Sequence, residues 1–239
     1  MRELIRDFVR ICNEHLTILE PIYEFGSLQV QGQEGFSDLR PLFPGREYLG
    51  ADIRPGLGVD LILDLHDIDL PTASVGAVIL MDTLEHVEYP RKAMDEINRV
   101  LKPDGLVLIS SVMAFPIHEY PSDYWRFTPA GFASLLNKFP FSLVEFAGVP
   151  SFPHTVVGVG ANSPPGASVL LRLRQDLTTW KETWDNPIEF HAKIDSPDVV
   201  QALLAEREAR LEFVYNSWPW KLSIGLGRCR GAVKRFFSK

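Results

Sequence analysis

The segment AVILMDTLEHVEYPRKAMDEINRVLKPDGLVLIS, residues 77–110, gives the strongest indication of the fold. It begins and ends with short apolar runs, and between them apolar residues recur every three or four positions, which predicts a strand, a helix and a strand. Pro90 lies near the first turn of this helix, and Pro103-Asp104-Gly105 follows its end. Because a tight turn cannot reach a parallel partner, this order predicts parallel strands joined by a right-handed crossover.

The same alternation continues on both sides of this unit. Residues 2–19 predict an amphipathic leading helix, and residues 128–138 predict a helix after the last of these strands. Two β-rich runs, 142–149 and 155–159, are separated by so few residues that we expect an antiparallel pair. The preceding strands are predicted at residues 21–25, 47–51, 60–62, 77–81 and 106–110. The sequence therefore predicts a doubly wound α/β fold.

Chain length and composition predict how many domains to expect. A chain of 239 residues that is 46% hydrophobic can form one substantial α/β domain with appended helices. Proline and glycine become frequent between Val149 and Gly166, which marks a boundary. We expect a first domain at residues 1–162 and a helical extension at residues 163–239. Helical patterns in that extension are predicted at residues 167–180, 197–215 and 221–237.

Charge and cysteine content exclude several classes of protein. The formal net charge of -7 argues against a surface built to bind nucleic acid, since phosphate binding needs clustered lysine and arginine. The only two cysteines, Cys12 and Cys229, lie far apart, so neither a disulfide framework nor a zinc site is indicated. The first residues lack the apolar core of a signal peptide. A cytoplasmic location is the simplest expectation.

Polar residues at the predicted strand ends indicate a ligand site, because open parallel sheets bind ligands beyond the carboxyl ends of their strands. Gly26 follows the first strand, and Glu24 stands two positions earlier. Asp52 ends the second strand, where a carboxylate can accept both hydroxyls of a ribose. Asp64 follows the third strand and can accept an adenine amino group, while the Leu65 amide meets a ring nitrogen. The alternative is that these are ordinary turn residues.

A metal site and a catalytic histidine are two further possibilities that the sequence raises. Asp64, His66, Asp67 and Asp69 lie close in sequence but lack any recognised ligand spacing, so no metal site is predicted. His86 follows the strand at residues 77–81, and a structural role in bracing that loop is favoured over catalysis.

The span from Tyr23 to Leu136 resembles the methyltransferase domain of class I enzymes that use S-adenosylmethionine (SAM). The resemblance is carried by EFGS at residues 24–27, by GADIRPGLGVDLILDLHDIDLP at residues 50–71 and, most specifically, by residues 77–110. It implies a mostly parallel, seven-stranded, Rossmann-like sheet with an antiparallel last strand, and SAM as cofactor. The implied cofactor contacts are Glu24 and Gly26 at the methionine moiety, Asp52 at the ribose, Asp64 and Leu65 at the adenine, and Met81 beside the cofactor.

The glycine loop departs from the family pattern. Leu28 stands where the family has further closely spaced glycines, and the next glycine is Gly32. A nicotinamide-dependent enzyme is the competing interpretation, but it normally needs G-x-G-x-x-G to hold a pyrophosphate at a helix N-terminus, and that motif is missing. SAM contains no pyrophosphate, so the looser loop is compatible with it.

The segment FPIHEYPSDYWRFTP, residues 115–129, is predicted to line the acceptor side. Methyl transfer to a hydroxyl needs alignment of the acceptor and removal of a proton. His118 is the preferred base, and Asp123 or Glu119 would orient or replace it. Stacking on or hydrogen bonding to the acceptor is expected from Tyr124, Trp125 and Arg126. The alternative is that the aromatic residues pack the segment onto the sheet while Arg126 pairs with an acid.

Residues 217–239 contain lysine and arginine but no acidic residue. A basic amphipathic helix is a candidate for contact with a membrane surface or an acidic partner. The alternative is a helix docked on its own domain or on a second subunit of a homodimer. This end resembles the basic ends of some methyltransferases of surface-polysaccharide assembly, which implies a sugar-containing acceptor.

Three functions remain open from the sequence. The leading one is a SAM-dependent methyltransferase acting on a hydroxyl, or less readily an amine, of a small-molecule or glycan acceptor. The second is a SAM-binding protein without turnover that serves as a regulator or assembly module. The third is a nicotinamide-dependent oxidoreductase.

Overall fold

A computed structural model describes residues 3–29, 35, 37–118 and 122–185. Glu119 and the predicted helices at residues 197–215 and 221–237 lie outside the described residues, and so does the basic segment 217–239. Among the described residues, no helix combines the length and apolar character needed to cross a membrane.

The described residues contain seven strands and four α-helices. The helices are α1 (Glu3–His15), α2 (Pro90–Val100), α3 (Pro129–Leu135) and α4 (Ala167–Trp184). The strands are β1 (Ile22–Phe25), β2 (Tyr48–Asp52), β3 (Leu61–Ile62), β4 (Val75–Leu80), β5 (Leu101–Val112), β6 (Phe141–Val149) and β7 (Phe152–Ala161). A short 3₁₀ turn, Leu84–His86, connects β4 to α2.

All seven strands form one sheet in the order β3-β2-β1-β4-β5-β7-β6. β1 to β5 pair in parallel, whereas β7 is antiparallel to both of its neighbours, β5 and β6. The predicted doubly wound, mostly parallel sheet with an antiparallel last strand is confirmed. β5 begins earlier than predicted, because Val75 pairs with Leu101 and Ala77 with Leu106, so the intervening residues form an irregularity within the strand.

Apolar burial on both faces explains why the strands are nearly continuous hydrophobic runs. Tyr23 and Phe25 of β1 belong to a core cluster that includes buried residues of α2 and α3. Ile22 is also fully buried and, because side chains alternate along a strand, it faces the opposite side of the sheet. α1 buries a stripe of apolar residues spaced three or four apart: Leu4, Ile5, Phe8, Val9, Ile11 and Cys12.

α4 packs against α1 and against β6. Trp180 of α4 is buried, and its indole N–H donates to the Leu4 carbonyl at 2.8 Å, while its ring lies 6.2 Å from that of Phe8. The helix that opens the predicted C-terminal extension is therefore in contact with the first helix of the chain.

The strand order reverses direction between β1 and β4. β2 and β3 extend to one side of β1, whereas β4 and β5 extend to the other. At such a switch point the loops that leave neighbouring strands diverge and open a crevice beyond their carboxyl ends. The residues that follow β1, β2, β3 and β4 are therefore placed around one crevice.

Candidate functional site

A cavity of about 510 Å³ lies at this crevice. Five of the residues predicted to contact the cofactor or the acceptor line it, namely Gly26, Asp52, Asp64, Leu65 and Tyr124. The remaining lining residues are Phe25, Ile53, Arg54, Leu63, His66, Thr83, His86, Val87, Glu88 and Ser122. The switch point thus brings together residues that are up to about a hundred positions apart.

Asp52 ends β2 with its side chain in the cavity wall. Its Oδ1 accepts a hydrogen bond from the Arg54 backbone N–H at 2.9 Å, which orients the carboxylate, and the residue is only 9% exposed. A carboxylate with this geometry can accept further hydrogen bonds from a ligand that carries adjacent hydroxyls.

Asp64 is held by its own turn. Its Oδ1 accepts from the backbone N–H of His66 and lies 2.8 Å from His66 Nδ1, and these contacts lower the pKa of the carboxyl group. His66 Nε2 in turn accepts from the Tyr89 backbone N–H at 3.2 Å, so Nδ1 carries the proton and donates to Asp64. The loop after β3 is therefore connected to the start of α2 through one histidine.

Gly26 has a φ of +79°, a conformation that favours glycine. A Cβ atom at this position would overlap the side chain of Thr83. The Thr83 hydroxyl donates to the Met81 carbonyl oxygen at 2.9 Å and lies 3.3 Å from the Phe25 carbonyl oxygen. The absence of a side chain at Gly26 thus leaves room for the Thr83 side chain as well as for the cavity. The sequence did not indicate the contact with Thr83.

Glu24 and Met81 are buried but do not belong to the cavity wall. Glu24 accepts a hydrogen bond from the Tyr48 hydroxyl at 2.8 Å. Burial raises the pKa of Glu24 to about 7, although the Tyr48 hydroxyl opposes this shift. The Glu24 carboxyl group, which the sequence resemblance assigns to the methionine moiety, therefore lies outside the cavity lining and bonds with Tyr48.

The loop after β4 takes a sharp turn at Asp82, whose φ is +46°. The Ser110 hydroxyl donates to Asp82 Oδ1 and accepts from the Asp82 backbone N–H, both at 2.9 Å. Glu85 follows in the 3₁₀ turn and is fully buried, with Oε2 accepting from the Ser111 hydroxyl at 2.7 Å. These contacts anchor the loop to the end of β5.

The same loop holds the predicted acceptor segment. The backbone N–H groups of Tyr124 and Trp125 lie 2.8 and 3.2 Å from the Glu85 carbonyl oxygen. The Trp125 indole N–H donates to the Val87 carbonyl at 3.0 Å. His86 Nδ1 lies 2.8 Å from the Ser122 carbonyl oxygen. The segment is therefore docked over the switch point rather than extended away from it.

His118 and His86 meet edge to face, with ring centroids 4.7 Å apart. His86 lines the cavity, whereas His118 does not, and the His118 ring also contacts Phe115. His118 Nδ1 lies 3.2 Å from the Pro116 carbonyl oxygen and 3.4 Å from Asp123 Oδ2. Since a carbonyl can only accept, Nδ1 of each ring donates to the oxygen that it faces.

Asp123 and Arg126 form an internal clamp in this segment. The Asp123 side chain is only 1% exposed, and its pKa is held far below the usual range, first of all by Arg126. All five N–H groups of the Arg126 guanidinium point at oxygens of the segment: two at Asp123, and one each at Phe115, Pro116 and Trp125. Arg126 thus braces the segment, in agreement with the alternative in which it pairs with an acid.

Tyr124 and Trp125 remain accessible, at 47% and 43% exposure. Of the three predicted acceptor contacts, only Tyr124 lines the cavity, since Trp125 and Arg126 are not in its wall. Sequence reasoning missed Thr83, Ser122 and Glu88, and it favoured a structural role for His86. No spacing could have indicated these residues, because each one reaches the cavity through the conformation of a loop.

Comparison with known proteins adds to this geometry. Residues 47–109 match a family model described as a methyltransferase domain. The fold is similar to that of a SAM dependent methyltransferase from Archaeoglobus fulgidus, with 15% identity, a TM-score of 0.52, and coverage of 67% of this chain and 94% of that chain. It is also similar to that of 1,6-didemethyltoxoflavin-N1-methyltransferase from Burkholderia thailandensis, solved with 1,6-didemethyltoxoflavin and S-adenosylhomocysteine, with 17% identity, a TM-score of 0.50, and coverage of 68% and 79%. No curated protein matches the sequence.

At these identities the solved structures establish the fold, and the family match identifies the segment from β2 into β5. Residues 47–109 carry the sequence pattern of a methyltransferase domain, and the fold is that of solved SAM-dependent methyltransferases. SAM is the cofactor that a domain of this kind would use. The cavity fits this cofactor, because it combines the carboxylates of Asp52 and Asp64 with apolar side chains that include Leu63 and Leu65.

Proposed function

We propose that this protein is a SAM-dependent methyltransferase that transfers a methyl group to a hydroxyl of a small-molecule or sugar-containing acceptor. The observation that carries the proposal is a pair of imidazoles in contact, of which His86 lines the cavity, each with Nδ1 directed at an oxygen. A hydroxyl must lose its proton to become a good nucleophile, whereas a neutral amine attacks without prior deprotonation. A pair of histidines at this position therefore favours a hydroxyl acceptor, because an imidazole can accept the proton.

The cofactor side of the proposal uses residues of the cavity wall. SAM supplies an electrophilic methyl group. Asp52 would hold the ribose hydroxyls, Asp64 and Leu65 would recognise the adenine, and Gly26 would contact the methionine moiety. Glu24 and Met81 do not line the cavity and would act indirectly, Glu24 through its hydrogen bond with Tyr48.

On the acceptor side, His118 is the proposed base. Asp123 lies beside its Nδ1 and would stabilise the imidazolium that forms when Nε2 takes a proton. Asp123 itself is a poor base, because it is buried and clamped by Arg126. His86, which lines the cavity and contacts His118, would position the acceptor oxygen. Glu119, the other candidate orienting residue, stays a sequence-based prediction.

Two exposed aromatic residues support an acceptor with a ring. Tyr124 and Trp125 are both close to half exposed beside the cavity, and aromatic faces stack on sugar or heterocyclic rings. The Burkholderia thailandensis enzyme, which has a similar fold, acts by its name on the nitrogen of a small heterocycle. It supports a small-molecule acceptor but not the choice of acceptor atom.

We also propose a cytoplasmic location without a nucleic-acid partner. The two cysteines, Cys12 and Cys229, lie far apart in the sequence and indicate no disulfide framework, which favours a reducing compartment. The net charge of -7 argues against nucleic acid as acceptor. Membrane or acidic-partner contact through residues 217–239, and a homodimer, stay sequence-based predictions.

The test is a methyl-transfer assay with labelled SAM against panels of sugars, sugar nucleotides, small alcohols and amines. We expect a methyl ether product, and we expect His118→Ala to lower kcat by about tenfold to a hundredfold with little change in SAM affinity. Asp52→Asn should weaken SAM binding by about tenfold in calorimetric titration, whereas the exposed Asp69→Asn should not. Methylation of amines alone would overturn the hydroxyl assignment, and SAM binding with no product on any panel would favour the non-catalytic alternative.

A further inference from the structure

Glu85, His86 and His118 each place one potential metal-ligating atom within 4.8 Å of the other two. The three residues come from two loops that converge at the switch point, beside the cavity. We propose that they form a binding site for a divalent transition-metal ion that takes part in methyl transfer. The proposal rests on the proposed function for the position of the acceptor and changes only how the acceptor loses its proton.

The donor set suits such an ion. Two imidazoles and one carboxylate are the ligands that zinc, iron and related divalent ions take in catalytic sites, where further positions stay open for water or substrate. Glu85 is fully buried, and its Oε2 accepts from the Ser111 hydroxyl, which orients the carboxylate. The predicted absence of a metal site rested on residues 64–69, whereas this cluster joins residues that are 32 or 33 positions apart and have no recognisable spacing.

The groups around the two rings support ligation through Nε2. A metal-bound imidazole usually donates its other N–H to a carbonyl or carboxylate, which sets the tautomer and the ring orientation. His86 Nδ1 faces the Ser122 carbonyl, and His118 Nδ1 faces the Pro116 carbonyl and Asp123. Arg126 in turn holds Asp123. Both rings therefore already have the outer partners that a metal site requires.

The distances require only a small closure. Bond lengths of about 2.1 Å place two ligands of one ion about 3 to 4 Å apart. Separations of up to 4.8 Å between the ligand atoms would shorten by about 1 to 2 Å on binding. The closure would fall on His118, whose side chain is 31% exposed, instead of on the fully buried Glu85.

The ion would bind the acceptor hydroxyl and lower its pKa, as a bound cation does for water. The hydroxyl would release its proton to solvent, and its oxygen would then form the bond to the methyl carbon. The carbon–sulfur bond breaks in the same step, and its electron pair stays on sulfur as a neutral thioether. In this scheme His118 acts as a ligand instead of as the base.

The test uses the full chain, freed of metal with a chelator and then titrated with Zn²⁺ in a calorimeter and with Co²⁺ in a visible-light spectrometer. We expect one ion per chain at this site and a Co²⁺ d–d spectrum typical of nitrogen and oxygen ligands. His86→Ala and His118→Ala should each weaken binding by about tenfold or more, and Glu85→Gln should do the same. SAM titration of each variant shows whether its fold and cofactor site are intact.

A second cluster provides the matched control. Glu14, His15 and Asp176 also place their ligand atoms within 4.8 Å of one another, on α1 and α4. His15→Ala should leave binding at the proposed site and its Co²⁺ spectrum unchanged. Loss of the spectrum in His15→Ala but not in His118→Ala would overturn the proposal.

The outcomes also separate this inference from the proposed function. A wild-type chain that methylates hydroxyls but binds neither ion, and is indifferent to chelator, would overturn the metal site and leave the imidazole base in place. A chain that binds the ion through these three residues but methylates only amines would support the metal site and overturn the hydroxyl acceptor.

Discussion

Thr83 packs directly against Gly26, so closely that the side chain occupies the space in which any Cβ at Gly26 would lie. The contact joins the end of β1 to the loop after β4, which are the two strands on either side of the switch point. The Thr83 hydroxyl also lies 3.3 Å from the Phe25 carbonyl oxygen of β1. The width of the cavity at this point therefore depends on a glycine and a threonine that are 57 positions apart.

Gly26→Ala is expected to destabilise the protein and to abolish measurable SAM binding. Alanine would carry both the strain of a φ of +79° and an overlap with Thr83. Gly45→Ala is the matched control, since Gly45 has a φ of +72° but nothing within 4 Å of its Cβ position. Each variant should lose about 1 kcal/mol to backbone strain. Gly26→Ala should lose about 1 to 3 kcal/mol more from the overlap.

Urea unfolding and calorimetric titration with SAM measure these two effects. Adding Thr83→Ala to Gly26→Ala should restore part of the lost stability, because it removes the hydroxyl and methyl groups that overlap most. Equal losses in Gly26→Ala and Gly45→Ala would mean that the threonine contact contributes nothing.

Glu24 should make the protein less stable as pH rises. A salt-bridged acid has the opposite effect, because its stabilisation is lost as pH falls. Burial raises its pKa to about 7 from an ordinary value of 4.5, so the folded chain binds a proton more tightly than the unfolded chain does. The stabilisation is complete below pH 4.5 and declines as pH rises toward 7. At about 1.4 kcal/mol per pKa unit, the loss amounts to about 3 kcal/mol.

Glu24→Gln keeps an acceptor for the Tyr48 hydroxyl but cannot ionise. The free energy of unfolding of wild type minus that of the variant should therefore fall by about 3 kcal/mol between pH 5 and pH 8. All other titrations are shared by the two proteins and cancel in the difference. A difference that stays constant over this range would show that Glu24 has an ordinary pKa in the folded chain.

Arg126→Lys is expected to loosen the acceptor segment without affecting the cofactor site. Lysine has three N–H donors and no planar fork, so it cannot replace the five contacts of Arg126 with Asp123 and the nearby carbonyls. Hydrogen exchange of the Tyr124 and Trp125 amides, which bond to the Glu85 carbonyl, should accelerate by about tenfold. Methyl transfer should fall, while SAM affinity should change by less than about twofold.

Arg91→Lys is the control for this prediction, since Arg91 bonds only with Ser134 among the described residues. It should leave exchange at Tyr124 and Trp125 unchanged. Unaltered exchange in Arg126→Lys would show that the segment is held by its contacts with Glu85 and not by the clamp.

Trp180→Ala should destabilise the whole α/β domain. Trp180 is buried between α4 and α1, donates to the Leu4 carbonyl and contacts Phe8. Truncation of a buried tryptophan costs about 3 to 5 kcal/mol. Leu171 is on the same helix but 61% exposed, so Leu171→Ala should change stability by less than about 0.5 kcal/mol.

The result of Trp180→Ala also tests the domain boundary expected at residues 162 and 163. If α4 belonged to an independent extension, Trp180→Ala would leave the main thermal unfolding transition unchanged. A single transition shifted to lower temperature would place α4 in the first domain.

Sequence patterns by themselves determined the framework of this protein. Hydrophobic periodicity and the prolines and glycines at element ends reflect local chain geometry, so the β4–α2–β5 unit could be recognised from residues 77–110 alone. Parallel pairing then placed Gly26, Asp52 and Asp64 at one edge of the sheet, because the carboxyl ends of parallel strands meet there. Only the tertiary structure decided which loop side chains surround the cavity.

Three contacts depend on how the loops fold over the sheet: the packing of Thr83 against Gly26, the ring contact of His86 with His118, and the hydrogen bonds made by all N–H groups of Arg126. These contacts depend on backbone turns such as that at Asp82 and on hydrogen bonds between segments about 30 to 60 residues apart. A periodic pattern indicates which residues of one element are buried, but it contains no information on the distance between two loops. The sequence could therefore indicate where the site lies but not which loop side chains carry its chemistry.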